Sequence, residues 1–152
     1  MNIKNPFELY ILYFWMAFLS LNGLGGGLVF MIEPNGSLMG MTTEWLAKTP
    51  FQSFLIPGIC LFLLNGVFPL VSLVGLISRK ENRVFNALNV FKDKFWGWTF
   101  SVYSGIITIS WIIIQQMIAD FFVLQPIITA IGLINFVLAL MPRIQKRYTI
   151  SQ

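Results

Sequence analysis

The chain contains no histidine. That removes imidazole metal ligands, histidine-ligated haem and a histidine general base, and with them much membrane redox and hydrolytic chemistry. Cysteine occurs once, at Cys60, so no intrachain disulfide can form and pairing says nothing of redox compartment. Charge is scarce too. Asp, Glu, Lys and Arg make up 11 % of the 152 residues, against about a quarter in a soluble domain. With 57 % apolar residues and a mean hydropathy of +0.76, the chain would expose too much apolar surface to stay in water. Lipid is the expected solvent. The net charge of +4 is therefore read by position along the chain and not as a nucleic-acid footprint.

What is present is a set of long apolar runs. The expectation is an all-α polytopic membrane protein, one membrane domain with four transmembrane helices. The spans are expected at about 9–32, 54–77, 96–118 and 126–142. The first, roughly 24 residues, would run about 36 Å, enough to cross a hydrocarbon core of about 30 Å with some tilt. It is too long to read as a cleaved leader. Glu33-Pro34-Asn35-Gly36 ends it as a turn, because Pro presets φ while Asn and Gly tolerate positive φ. The outer loop 33–53 follows, with Thr42 or Thr43 as a candidate cap for a short helix through Leu46. Pro69 lies inside the second span and predicts a kink. In the loop 78–95, Val84, Leu88, Phe91 and Phe95 recur at helical spacing opposite basic residues. This reads either as an amphipathic helix on the membrane surface or as a solvated connector. Pro126 suits the first turn of the fourth span, and a basic C-tail, 143–152, closes the chain.

The basic residues orient these spans. Lys4, five in the 78–95 loop (Arg79, Lys80, Arg83, Lys92, Lys94) and three in the tail (Arg143, Lys146, Arg147) fall on one side, and Lys48 alone on the other. The positive-inside bias puts both termini and the basic loop of a multi-pass membrane protein in the cytoplasm. The same residues, Lys4 apart, are candidates for contact with anionic lipid headgroups.

Glycine is concentrated at Gly23, Gly25, Gly26 and Gly27. A dinucleotide fingerprint starting at Gly23 fails at Leu28, no strand precedes it, and no Lys-Ser or Lys-Thr follows for a phosphate loop. Gly23 and Gly27 instead have the spacing that lets two helix backbones approach. Ser101, Gly105 and Gly132 are read as packing positions of the same kind.

A polar layer is expected near mid-bilayer, formed by Asn22, Asn65, Thr108 and Asn135, with Gln115 further out. An amide facing hydrocarbon costs several kcal/mol, so these groups should find one another. They read as interhelical glue, and alternatively as the lining of a cavity for a small neutral or lipid-like ligand. On the outer rim, Glu33, Asn35 and Asp120 are candidates for an oxygen-rich cation site, or simply a solvated loop edge. Cys60 reads as a small buried apolar residue. No nucleophile–base pair can be named, and no cofactor is expected.

The order of short motifs carries a resemblance. Gly26-Gly27 before Glu33-Pro34-Asn35-Gly36-Ser37, then Thr49-Pro50-Phe51, Ile56-Pro57-Gly58, Leu124-Gln125-Pro126, Gly132 and Met141-Pro142 resemble small bacterial four-helix membrane proteins. The layout is similar to that of DoxX-like proteins, which implies association with membrane redox partners. The resulting expectation is a non-enzymatic accessory component that binds membrane partners or itself. The alternative is a small transporter or ligand-binding protein that uses the polar layer.

Overall fold

The computed structural model describes residues 6–118 and 121–150. They form six helices: α1 Phe7–Ile32, α2 Leu55–Ser78, α3 Arg83–Ala87, α4 Trp96–Ile118, α5 Leu124–Ala139 and α6 Pro142–Arg147. Helices α1, α2 and α4 are long and apolar enough to cross a membrane, and α5 is a shorter apolar helix. At 1.5 Å per residue, α1 spans about 39 Å and α5 about 24 Å. The four apolar helices pack side by side in the cyclic order α1–α2–α4–α5.

Close backbone approach sets this order. A Cβ on Gly23 would overlap the carbonyl of Asn65 on α2. One on Gly27 would stand 2.6 Å from Phe62 Cβ and 2.8 Å from the Gly58 carbonyl oxygen. Gly66 and Gly58 answer from the other side, against Leu24 and Phe30. Across the bundle, Gly105 faces the Gly132 carbonyl and Phe136, and Gly132 faces Thr108. Lipid tails are as apolar as leucine, so helix association there rests on this kind of van der Waals contact and not on hydrophobic burial.

Helix α2 holds the first departure from expectation. The turn before Pro69 is not regular α-helix. The helix is α-helical over Leu55–Cys60 and Phe68–Ser78 and π-helical between, over Leu61–Val67. Phe68 N–H bonds the Leu63 carbonyl, five residues back. Proline has no N–H to give the Asn65 carbonyl, and the wider π turn absorbs that loss one turn earlier.

One large core lies where the N-termini of α1 and α4 meet the C-termini of α2 and α5. It contains Leu9, Leu12, Met16, Leu76, Trp96, Trp98, Phe100, Ile144 and Tyr148. Gly75 is needed there because the Trp96 indole fills the place of its side chain. A smaller cluster at the opposite end joins Phe30, Leu46 and Phe54, with Phe30 and Phe54 stacked at 5.0 Å.

The expected surface helix across 78–95 is only five residues long. Asn82 starts α3 by accepting from the N–H groups of Val84 and Phe85, at 2.9 and 3.1 Å. Buried Asn89 then organises the rest: its Oδ1 accepts from Phe91 N–H and Thr99 Oγ1, and its Nδ2 donates to the Lys94 carbonyl. These bonds outcompete continued helix, because an Asn side chain offers the backbone local partners. Val84, Leu88 and Phe91 stay exposed, whereas Phe95 enters the core.

The basic tail packs into the large core through Ile144 and Tyr148. The fourth apolar helix ends at Ala139 rather than near 142, and Pro142 opens α6 as its first residue. Tyr148 is 2 % exposed. Phe95 N–H bonds the Tyr148 carbonyl at 2.8 Å, and Ile150 N–H bonds the Asp93 carbonyl at 2.9 Å. Three smaller expectations also change. Thr42 precedes the 3-10 turn Thr43–Leu46 without a side-chain cap bond, Cys60 is half-buried, and Asn35 makes its own turn by accepting from Ser37 N–H at 2.8 Å.

Candidate functional site

The polar layer forms where α1, the π stretch of α2, α4 and α5 come together. Glycines bring α1 against α2, and the π turn displaces the Asn65 side chain from the register of a regular helix. Thr108 Oγ1 on α4 donates to Asn65 Oδ1 at 2.7 Å. Ser20 Oγ on α1 donates to the Gly66 carbonyl at 2.8 Å, so two of the carbonyl and amide groups of the π segment are held by neighbouring helices. Asn135 on α5 is wholly buried, one turn from Gly132 and its contact with Thr108.

This layer is enclosed. Asn65 is 1 % exposed and Asn135 0 %. It is also incompletely paired. Asn65 Nδ2, Ser104 Oγ, Trp111 Nε1 and both amide atoms of Asn135 have no hydrogen-bond partner among the described residues. Buried polar atoms in proteins are nearly always bonded, so the three unpartnered amide atoms of Asn65 and Asn135, with Ser104 and Trp111 within about 6 Å of Thr108 along α4, distinguish the middle of the bundle.

Asn22 does not belong to the layer. It points outward from α1, and among the described residues its Nδ2 donates only to the Phe18 carbonyl of its own helix, at 2.7 Å. The buried face of α1 runs through Leu12, Met16, Leu19, Ser20, Gly23 and Gly27, which leaves position 22 on the flank of the helix, outside that face. Gln115 lies half-buried toward the far end of α4. Ser101, fully buried, donates to the Trp98 carbonyl at 2.7 Å within its own helix.

Of the three candidates for a cation site, Glu33 closes α1 and Asn35 turns onto Ser37, while Asp120 lies outside the described residues. Among the described residues no three His, Cys, Asp or Glu side chains gather.

The basic residues divide into two groups. Arg143 Nη1 pairs with Glu8 Oε1 at 2.9 Å, and the Arg79 guanidinium lies 4.7 Å from the Tyr148 ring centre. Lys94 Nζ bonds Asp93 at 2.7 Å and Thr149 at 3.0 Å, and Lys92 Nζ bonds the Asn86 carbonyl. The Lys94 contact holds the Asp93 carboxyl below the usual carboxylate range. Arg147 is half-buried, and Lys80, Arg83 and Lys146 are exposed. So several residues expected at lipid headgroups also tie the loop, the tail and α1 together.

Sequence reading missed the residues that do this tying. Tyr13 and Tyr148 meet hydroxyl to hydroxyl at 2.9 Å, and Tyr148 Oη donates to the Leu76 carbonyl at 2.9 Å. The only signal was a lone aromatic in a basic tail. Gly58, Gly66, Gly75 and Gly97 carry as much of the helix packing as the glycine cluster but stand singly among apolar residues.

The chain matches no family model, no curated protein and no solved structure. The resemblance in turn motifs therefore assigns no residue a role.

Proposed function

We propose that this is a non-enzymatic, four-span membrane protein of the bacterial inner membrane that acts by docking another membrane helix. Both termini and the basic end face the cytoplasm. The observation that carries the reading is Asn22. It lies ten residues before the end of α1, about 15 Å along the helix, close to the middle of a hydrocarbon core of about 30 Å. An outward amide at that depth is costly against lipid and favourable against a second helix. Gly25, one turn on, leaves open space within 4 Å of where its side chain would be, so a partner backbone can come close.

The test places a benzophenone on Gly25→Cys in a Cys60→Ser background. Protein adducts formed in membranes, and weakened about threefold or more by Asn22→Leu, support the reading. Adducts to lipid alone refute it. Orientation is tested with Ser37→Cys in the same background, since position 37 is exposed. Labelling by an impermeant maleimide from the cytoplasmic side would reverse the assignment.

A second reading draws on the unpartnered atoms of Asn65 and Asn135, which suit a small neutral polar ligand inside the bundle. Reaction of Asn135→Cys with a water-soluble thiol reagent in folded protein would favour it over the closed bundle.

A further inference from the structure

A groove of about 480 Å³ runs along the outside of α2 at the basic end. Its walls are Leu70, Val74, Phe85 and Trp96, and its rim carries Lys80 and Glu81. From position 70 to position 78 the α2 wall is about 12 Å long. Val74 is 55 % exposed, so the slot opens sideways, toward the region that lipid chains would occupy around a membrane-spanning α2.

The groove is built and not incidental. Trp96 Nε1 donates to the Lys80 carbonyl at 2.9 Å, which fixes the rim to the floor. The Phe85 ring lies on Trp96 with centroids 4.6 Å apart, and the Asn82 cap sets the turn that puts Phe85 there. Asn86 Nδ2 holds the Glu81 carboxylate. Among the described residues no ion pair joins Lys80 to Glu81, so both charges are available at one mouth.

We infer that this groove is a binding site for one phospholipid whose headgroup carries a phosphate and a primary ammonium, as in phosphatidylethanolamine. An acyl chain lies along Leu70 and Val74. The phosphate accepts from Lys80, and the ammonium donates to Glu81. An anionic headgroup without an amine would satisfy Lys80 but set its negative charge beside Glu81. A choline headgroup has the charge but no N–H to donate. The inference rests on the membrane reading of α2 but not on the docking role of Asn22.

The experiment is native mass spectrometry of the full chain in detergent, with phosphatidylethanolamine, phosphatidylglycerol or phosphatidylcholine of identical palmitoyl-oleoyl chains added at equal concentration. Phosphatidylethanolamine is expected to bind about fivefold more than either other lipid, the scale of one headgroup charge contact. Val74→Trp fills the slot from its exposed side and should abolish this binding. Glu81→Gln, on the surface, should erase the preference for ethanolamine over choline while keeping the lipid bound. Equal retention of all three lipids, tighter binding of phosphatidylglycerol, or a preference that survives Glu81→Gln would each overturn the site. Loss of Asn22-dependent crosslinking with lipid selectivity intact would refute the docking role alone.

Discussion

Thr108 reaches across the bundle to hand its hydroxyl hydrogen to Asn65, 2.7 Å away, at the segment where α2 abandons α-helical geometry. The pair lies between two helices that touch nowhere else through polar side chains among the described bonds near mid-span. Measured coupling for such interhelical bonds averages about 0.6 and reaches about 1.7 kcal/mol. A double-mutant cycle with Asn65→Leu and Thr108→Val, read by thermal unfolding in detergent, should fall in that range. Asn65→Leu alone should also relieve the unpartnered Nδ2, so its loss should stay under about 3 kcal/mol. A larger loss would mean that Asn65 does more than join two helices.

Gly23 and Gly25 separate packing from exposure. Gly23→Leu pushes a side chain into the α2 backbone, which cannot move aside as a flexible side chain would. It should destabilise by more than about 3 kcal/mol or prevent folding. Gly25→Leu meets nothing and should leave folding unchanged or improve it by about 1 kcal/mol through helix propensity. Size-exclusion profiles and melts of both variants check the contrast. Similar behaviour would refute the α1–α2 contact.

Tyr148→Phe removes the donor to the Leu76 carbonyl and the contact with Tyr13 together. A loss of about 0.5–1.5 kcal/mol is expected, since the Leu76 carbonyl loses its nearer hydroxyl donor and keeps the longer bond from Tyr13 Oη at 3.4 Å. Tyr13→Phe should lose less, because Tyr148 keeps its bond to Leu76. If the tail were merely a solvated extension, neither change would shift the melting temperature.

Asp93 provides a pH test. Lys94 lowers its folded pKa, so the contact contributes above the unfolded value, about 3.9, and is lost as pH falls through the folded one. In Lys94→Met the Asp93 midpoint, followed by NMR titration of the full chain, should rise toward about 3.9. An unchanged midpoint would show that the contact is not maintained in solution.

Helices α1, α2, α4 and α5 were legible because apolar run length is a property of the chain alone. Their ends within a few residues followed from Pro34, Asn35 and Gly36 at one turn and Pro126 at another. The glycine spacing at 23 and 27 pointed to a close helix approach for the same reason: absence of a side chain is visible in one dimension. The basic end was visible as a charge count.

The direction of each side chain was not. Asn22 and Asn65 are the same residue type at similar depth, yet one faces out and one is buried, because the glycine face of α1 and the π turn of α2 decide the rotation. Nor could the sequence show that Tyr148 would leave a basic tail to close the core, or that Lys80, Glu81, Val74 and Trp96 would share a groove. Composition and periodicity determine which segments avoid water. Which partner each segment meets depends on contacts between residues far apart in the chain, and only the packed helices specify those.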